Sequence, residues 1–312
     1  MTVKHMIQST DITKSDCEEM IRRFNYFSKH GISPDLARGK IVATLFFQPS
    51  TRTMNAFQMG MMRMGGGWLG VTGEESLSLA KGESFEDTIR EYSCFSDIIV
   101  LRHQDDDSAE RAAANSYVPI LNGGSGSREH TLSCPWILLE ILYYLKRPLD
   151  NLKIGIYGTP EINRVTKAMV PIFGFFNMEL VIDDLGHFPL PKEVEEQAMS
   201  NGLKSLRYDK LDNFIGDVDA LILTRGLQKG IIPADKFSKE KEELILKEYK
   251  PITVEHMQKL RDDAILFMIK PRIFEVDTAV DSDARATYSK REPYDLMAAS
   301  ILSYYLGIDV GE

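Results

Sequence analysis

Apolar and polar positions along this chain fall into blocks that switch between two periods. Short β-branched runs alternate with stretches whose apolar residues stand three and four apart. That switching predicts strands followed by helices. Ser15 to Tyr26 sets Ile21, Phe24 and Tyr26 among charges and predicts an amphipathic helix with Ser15 or Asp16 near its cap. Lys40 to Phe46 predicts a buried strand. After it, Met54, Phe57, Met61, Met62 and Met64 recur at helical spacing, up to a stop at Gly65-Gly66-Gly67. Further strands are predicted at 68–71, 97–101, 117–121, 153–158, 179–182, 220–224 and 264–269. Further helices are predicted at 84–92, 108–115, 135–145, 163–173, 191–199 and 292–306, with a charged loop or helix at 237–250. This alternation predicts two doubly wound parallel α/β domains, with ligands at the C-terminal ends of the strands. Leu149-Asp150-Asn151-Leu152 marks the boundary between them.

A length of 312 residues fits two domains, and 43% hydrophobic with 27% charged residues fits a soluble globular protein. The formal charge of −9 and the absence of a basic run argue against a nucleic-acid partner, though local arginines can still dominate a cleft for a small anion. Cys17, Cys94 and Cys134 show no metal-ligand spacing and read as reduced thiols of a cytoplasmic protein. No run suggests a signal peptide or a membrane span. Asp105-Asp106-Asp107 reads as a turn and helix cap, because nothing nearby completes a metal-ligand set. The turn after 153–158 has too few glycines for a dinucleotide site.

The chain is organised around Phe46-Phe47-Gln48-Pro49-Ser50-Thr51-Arg52-Thr53. Pro49 ends a strand, and Ser50, Thr51 and Thr53 are placed to cap the following helix. Hydroxyls, backbone N–H groups and the Arg52 guanidinium then meet at a helix N-terminus, an arrangement suited to phosphate. On its own the stretch reads either as that anion site or as a well-capped helix with a solvent arginine. Arg102-His103, just past a strand, reads equally as a surface pair or a site, and His130 as a site residue or a helix cap.

Phe-x-Pro-Ser-Thr-Arg-Thr followed by a Phe-containing helix and a Gly pair resembles the carbamoyl-phosphate-binding motif of aspartate and ornithine carbamoyltransferases. Ser78-x-x-Lys81-Gly82-Glu83, Arg102-His103 and the segment Asn122 to His130 follow in the family's order. The resemblance implies that Ser50, Thr51, Arg52, Thr53 and Lys81 hold phosphate, while Thr53, Arg102 and His130 stabilise the developing oxyanion. It also implies that Ser78 and Lys81 reach a neighbouring chain's site in a homotrimer, and that no metal or organic cofactor is needed. By the same resemblance, 1–148 with the helix 292–312 forms the carbamoyl-phosphate domain and 149–291 the acceptor domain. The active site would lie in the cleft between them.

In the second half the resemblance is closest to the aspartate-type enzymes, which serve pyrimidine biosynthesis. Arg164 and Arg225 match their acceptor-binding arginines. Departures accumulate here: Ser133 stands for an expected Gln, Gln228 is displaced by one residue, Arg128 is an added charge, and Lys270 precedes Pro271-Arg272. Lys270 reads either as a cation near the reacting carbon or as a solvent side chain. The expected function is transfer of a carbamoyl group to an acidic amine such as aspartate. Two competitors stay open: a transferase with another amine or acyl phosphate, and a non-catalytic trimeric regulatory or assembly partner. The departures predict weak turnover of aspartate.

Overall fold

In the computed structural model, which describes residues 3–73, 82–227 and 238–311, the apolar runs become strands of two parallel sheets. The chain forms two units, Met1–Leu139 with Pro293–Glu312, and Glu140–Glu292. In chain order the elements begin α1 (Lys14–His30), β1 (Ile41–Phe46), α2 (Arg52–Arg63), β2 (Gly67–Thr72), α3 (Phe85–Phe95), β3 (Ile98–His103), α4 (Ser108–Asn115), β4 (Ile120–Ser125) and α5 (Ser133–Leu145). They continue β5 (Lys153–Tyr157), α6 (Arg164–Phe173), β6 (Glu179–Asp183), α7 (Lys192–Ser200), β7 (Ser205–Tyr208), α8 (Leu211–Phe214) and β8 (Ala220–Leu223). The last are α9 (Lys239–Glu248), α10 (Val254–Lys259), β9 (Ile265–Met268) and α11 (Tyr294–Tyr305).

The first unit's sheet has the order β2-β1-β3-β4, every pair parallel. After β2 the chain returns to the other side of β1, so the C-terminal ends of β1 and β3 flank a topological switch point, where open α/β sheets take ligands. β1 and β3 are buried on both faces, which is why they read as apolar runs, while the edge strand β2 is largely exposed. Ala43, Leu45, Ile99 and Leu101 pack with Phe85, Ile89, Ala109 and Ala112. The alternate position Thr44 faces α2, where Gln58 Nε2 donates to its Oγ1 at 2.8 Å. α11 lies along α2. A Cβ on Gly60 would stand 2.7 Å from Ala298 Cβ and 3.1 Å from the Ala299 nitrogen, so glycine is what allows these helices to approach.

The second unit's sheet has the order β7-β6-β5-β8-β9, again all parallel, with its switch point between β5 and β8. Gly158, just past β5, has φ +128°, and a side chain there would collide with Thr224 Oγ1. Thr224 in turn accepts from Thr159 N at 2.6 Å, which ties the ends of β5 and β8 together.

Several elements differ from expectation. The cap of α1 is Thr13, in reciprocal bonds with Asp16, and Ser15 sits inside the first turn. β4 starts at Ile120 and not at Tyr117, whose ring is exposed, and it runs on through the glycines expected to form a turn. Those glycines are strand because Asn122 pins them: its side chain bonds Ile7 O, Ser125 Oγ and Gly124 N. Met62, expected on the apolar face of α2, is 59% exposed. Strand β7 was not predicted, since its Ser-Leu-Arg-Tyr sequence at a sheet edge carries no apolar run.

Candidate active site

The end of β1 and the start of α2 place Ser50, Thr51, Arg52 and Thr53 at the first sheet's switch point. Thr51, the residue before α2, already has helical dihedrals (φ −81°, ψ −42°), and no side chain caps the helix. This corrects the expected hydroxyl caps: a capping side chain needs extended backbone, and Thr51 has none. The first-turn N–H groups therefore carry no side-chain cap. Arg52 is exposed and, among the described residues, makes no hydrogen bond or ion pair. Crowding by the surrounding chain pulls its pKa down, against the effect of nearby Tyr294, but a guanidinium stays charged through such a change.

Arg102, near the end of β3, is the hub of this unit. Its Nε donates to Gly123 O at 2.7 Å, one terminal nitrogen reaches Pro49 O at 3.4 Å, and the other lies 2.9 Å from His130 Nε2. Its guanidinium also lies over the Phe46 ring at 5.5 Å. Arginine only donates, so the facing Nε2 of His130 accepts and the ring proton sits on Nδ1. Three segments (the β1–α2 turn, β4 and the turn before α5) thus converge on one cation.

Three neighbouring side chains are bonded within the same unit. His103 is buried between the Phe47 and Phe85 rings (centroids 4.7 and 5.0 Å), and its Nδ1 accepts from Asp105 N at 3.0 Å. Arg128 donates to Glu110 on α4 at 2.9 Å. Ser133 donates its hydroxyl to His130 O at the start of α5.

In the second unit, Arg164 opens α6 and Arg225 follows β8, both buried. Arg225 Nε donates to Leu227 O at 2.6 Å. The loop after β8 is anchored by Glu275, whose carboxylate accepts from Gly226 N at 2.9 Å, and by Tyr249, whose hydroxyl donates to Thr224 O at 2.9 Å. Lys270 follows β9 and is paired with Glu292. Its neighbour Ile269 donates through N to Leu223 O at 3.0 Å, so the segment lies against the end of β8. Ser78, Lys81 and Gln228 lie outside the described residues.

A family model described as aspartate/ornithine carbamoyltransferase, carbamoyl-P binding domain, matches residues 4–134. The aspartate carbamoyltransferase catalytic subunit of Clostridium botulinum is 33% identical, covering 98% of this chain and 98% of its own length. That of Clostridium novyi is 30% identical, covering 98% and 99%. This chain belongs to the aspartate/ornithine carbamoyltransferase family. The catalytic subunit of M. jannaschii aspartate transcarbamoylase, a solved structure, is 32% identical with a TM-score of 0.82, covering 97% of this chain and 98% of that one.

Within the family frame, the motif residues 50–53, Arg102 and His130 share one unit, and Arg164, Arg225 and Lys270 share the other. Sequence reasoning missed the Gly123 and Pro49 carbonyls that orient Arg102, because backbone acceptors leave no trace in residue type. It also missed Glu140, which is fully buried in α5. A lone acid in the run Trp136 to Leu145 was the signal that marked it.

Proposed function

We propose that this protein transfers the carbamoyl group of carbamoyl phosphate to the amine of aspartate. The reading is carried by Arg102 bonded to His130 beside the uncapped start of α2, in a chain 30–33% identical over its length to aspartate carbamoyltransferase catalytic subunits. The phosphate sits on the first-turn N–H groups of α2 with Ser50, Thr51, Arg52 and Thr53. The carbonyl oxygen points to Thr53 and Arg102, and His130, whose Nε2 accepts from Arg102, orients that guanidinium. Arg164 and Arg225 receive the two carboxylates of the acceptor. The amine nitrogen attacks the carbonyl carbon and forms the C–N bond, while the oxyanion is held by these donors, each worth roughly 10²–10³ in rate. The C–O bond to phosphorus then breaks, and phosphate leaves with its electron pair and takes the amine proton.

Ser78 and Lys81 come from a neighbouring subunit in this reading, so the working unit is a homotrimer with shared sites. We place it in the cytoplasm: its three cysteines are free, and no described helix is long and apolar enough to cross a membrane. The departures that suggested another acceptor or donor lose much of their force. Arg128 and Lys270 are each paired within their own unit, with Glu110 and Glu292, so neither brings an unbalanced charge. The relatives' names favour aspartate over both the divergent and the non-catalytic readings.

Steady-state kinetics test this. The expected kcat/KM for aspartate lies within about 10⁴–10⁸ M⁻¹s⁻¹, and a value orders of magnitude lower, with better turnover of another anionic amine, would overturn the acceptor assignment. Calorimetric titration of phosphate into Arg52→Ala tests the anion site, which fails if the affinity equals that of the parent.

A further inference from the structure

The chain ahead of α1 runs beside β4, the edge strand of the first sheet. Met6 N donates to Ile120 O at 2.8 Å and Asn122 N donates to Met6 O at 2.9 Å, so Met6 pairs in parallel with Leu121. Just past that pairing, the same segment reaches both residues that flank His130. The buried Thr131 hydroxyl donates to Ile7 O at 2.7 Å, and Ser9 Oγ donates to Glu129 Oε1 at 3.2 Å. Ile7 O also accepts from Asn122 Nδ2 at 2.8 Å, and Ile7 N donates to Asp11 Oδ2 at 3.0 Å. Backbone bonds complete the bracket around His130. Ser125 N donates to Glu129 O at 3.0 Å on one side, and Leu132 N to Asn122 O at 3.1 Å on the other. All of these residues belong to the first unit.

We propose that Thr131 is a positioning residue for carbamoyl transfer: its bond to the Ile7 carbonyl holds the His130 turn, so that the His130 ring in turn fixes the Arg102 guanidinium. This rests on the reaction proposed above. His130 lies between β4 and α5, outside both, so its ring is placed only as firmly as the residues beside it. Its Nε2 meets Arg102 at 2.9 Å, a contact that weakens steeply once distance or angle drifts. A threonine hydroxyl can bond the backbone of its own turn. The Thr131 hydroxyl instead reaches a carbonyl 124 positions away. That bond is not needed to fasten the N-terminal segment, because the Met6 backbone pair and Asn122 already do so. What it adds is a fixed point one residue from His130.

The test compares Thr131→Val and Thr131→Ser in the whole protein. Valine keeps the shape of threonine, and Ile7 O keeps Asn122 as a donor, so Thr131→Val leaves no buried acceptor unpaired. It should lower kcat by roughly 3- to 100-fold, the upper end being the cost of a misplacement of about 1 Å. Calorimetric titration of inorganic phosphate should give the parent's affinity, because residues 50–53 are untouched. Thr131→Ser keeps the donor and should hold kcat near the parent's. ¹⁵N NMR of the His130 ring reads the same positioning without turnover: the proton should sit on Nδ1 in the parent and in Thr131→Ser, and spread over both nitrogens in Thr131→Val. An unchanged kcat or an unchanged ring tautomer in Thr131→Val overturns the proposal, even with a lowered melting temperature, since the bond would then only stabilise the fold. A Thr131→Ser variant as impaired as Thr131→Val overturns it too. If the parent does not carbamoylate aspartate, the proposed reaction fails, and the ring signal alone decides whether Thr131 positions His130.

Discussion

Replacing Arg102 by lysine keeps the charge and removes the fork. Two bonds of Arg102 are short, to Gly123 O at 2.7 Å and to His130 Nε2 at 2.9 Å, while the third, to Pro49 O at 3.4 Å, is at the limit of a useful bond. A lysine offers one nitrogen where arginine uses three, so at least one short bond is lost. A hydrogen bond to a charged group contributes about 1.5–3 kcal/mol, so kcat/KM should fall about 10- to 150-fold. Arg102→Ala removes the cation as well and should cost about 10³-fold or more, by comparison with oxyanion donors. ¹⁵N NMR of the His130 ring gives an independent readout. Arg102 holds Nε2 as an acceptor, so the parent should show the proton on Nδ1, and Arg102→Ala should redistribute it between the two nitrogens. If Arg102→Ala left both the kinetics and the ring tautomer as they were, Arg102 would be neither the oxyanion donor nor the group that orients His130.

Three further outcomes follow from the same geometry. Gly60→Ala should lower the melting temperature, by about 1–3 kcal/mol of overpacking against Ala298, despite the roughly 1 kcal/mol that alanine normally adds to a helix; a stabilised variant would show that α11 yields at no cost. Desolvation tends to raise the Asp16 pKa, but bonds from Lys4, Tyr304 and Thr13 lower it below 3.8, so its contribution is present above that value and lost as pH falls through the lower folded one. Asp16→Asn should therefore destabilise at neutral pH and converge with the parent in acid, and an offset that persisted at low pH would remove the ionic explanation. Arg52→Ala and Lys81→Ala proteins, each inactive alone, should regain part of their activity when unfolded together and reassembled, because mixed trimers contain some sites free of both changes. Mixtures that stay inactive while each variant still assembles would confine the site to one chain.

Much of the first unit was legible because its signals are local. Lys40 to Phe46 and Asp97 to Leu101 are apolar runs long enough to demand burial on both faces, and Ser84 is an N-cap whose hydroxyl accepts from Asp87 N as its type suggests. What escaped depends on partners distant in the chain. The Gly123-Gly124 pair looked like a turn, but Asn122 reaches back to Ile7 and makes it strand. Thr51 looked like a cap, and the helix began one residue too early for its side chain to act as one. Lys270 read as either a site cation or a solvent side chain, because nothing near it in sequence announces Glu292 as its partner.

The close seating of α11 on α2 at Gly60 has a consequence for how the molecule is made. The first unit is built from Met1–Leu139 and Pro293–Glu312, with the second unit's residues synthesised in between. At a translation rate of about 5–20 residues per second, the face of α2 around Gly60 waits roughly twelve to fifty seconds for its covering helix. During that interval Gly60, which meets Ala298 in the finished fold, has no helix against it. All of the second unit's residues are thus synthesised before the first unit's last helix. Chaperone engagement on nascent chains should peak while 140–292 is being translated, and a permuted gene that joins 293–312 ahead of Met1 should shorten it.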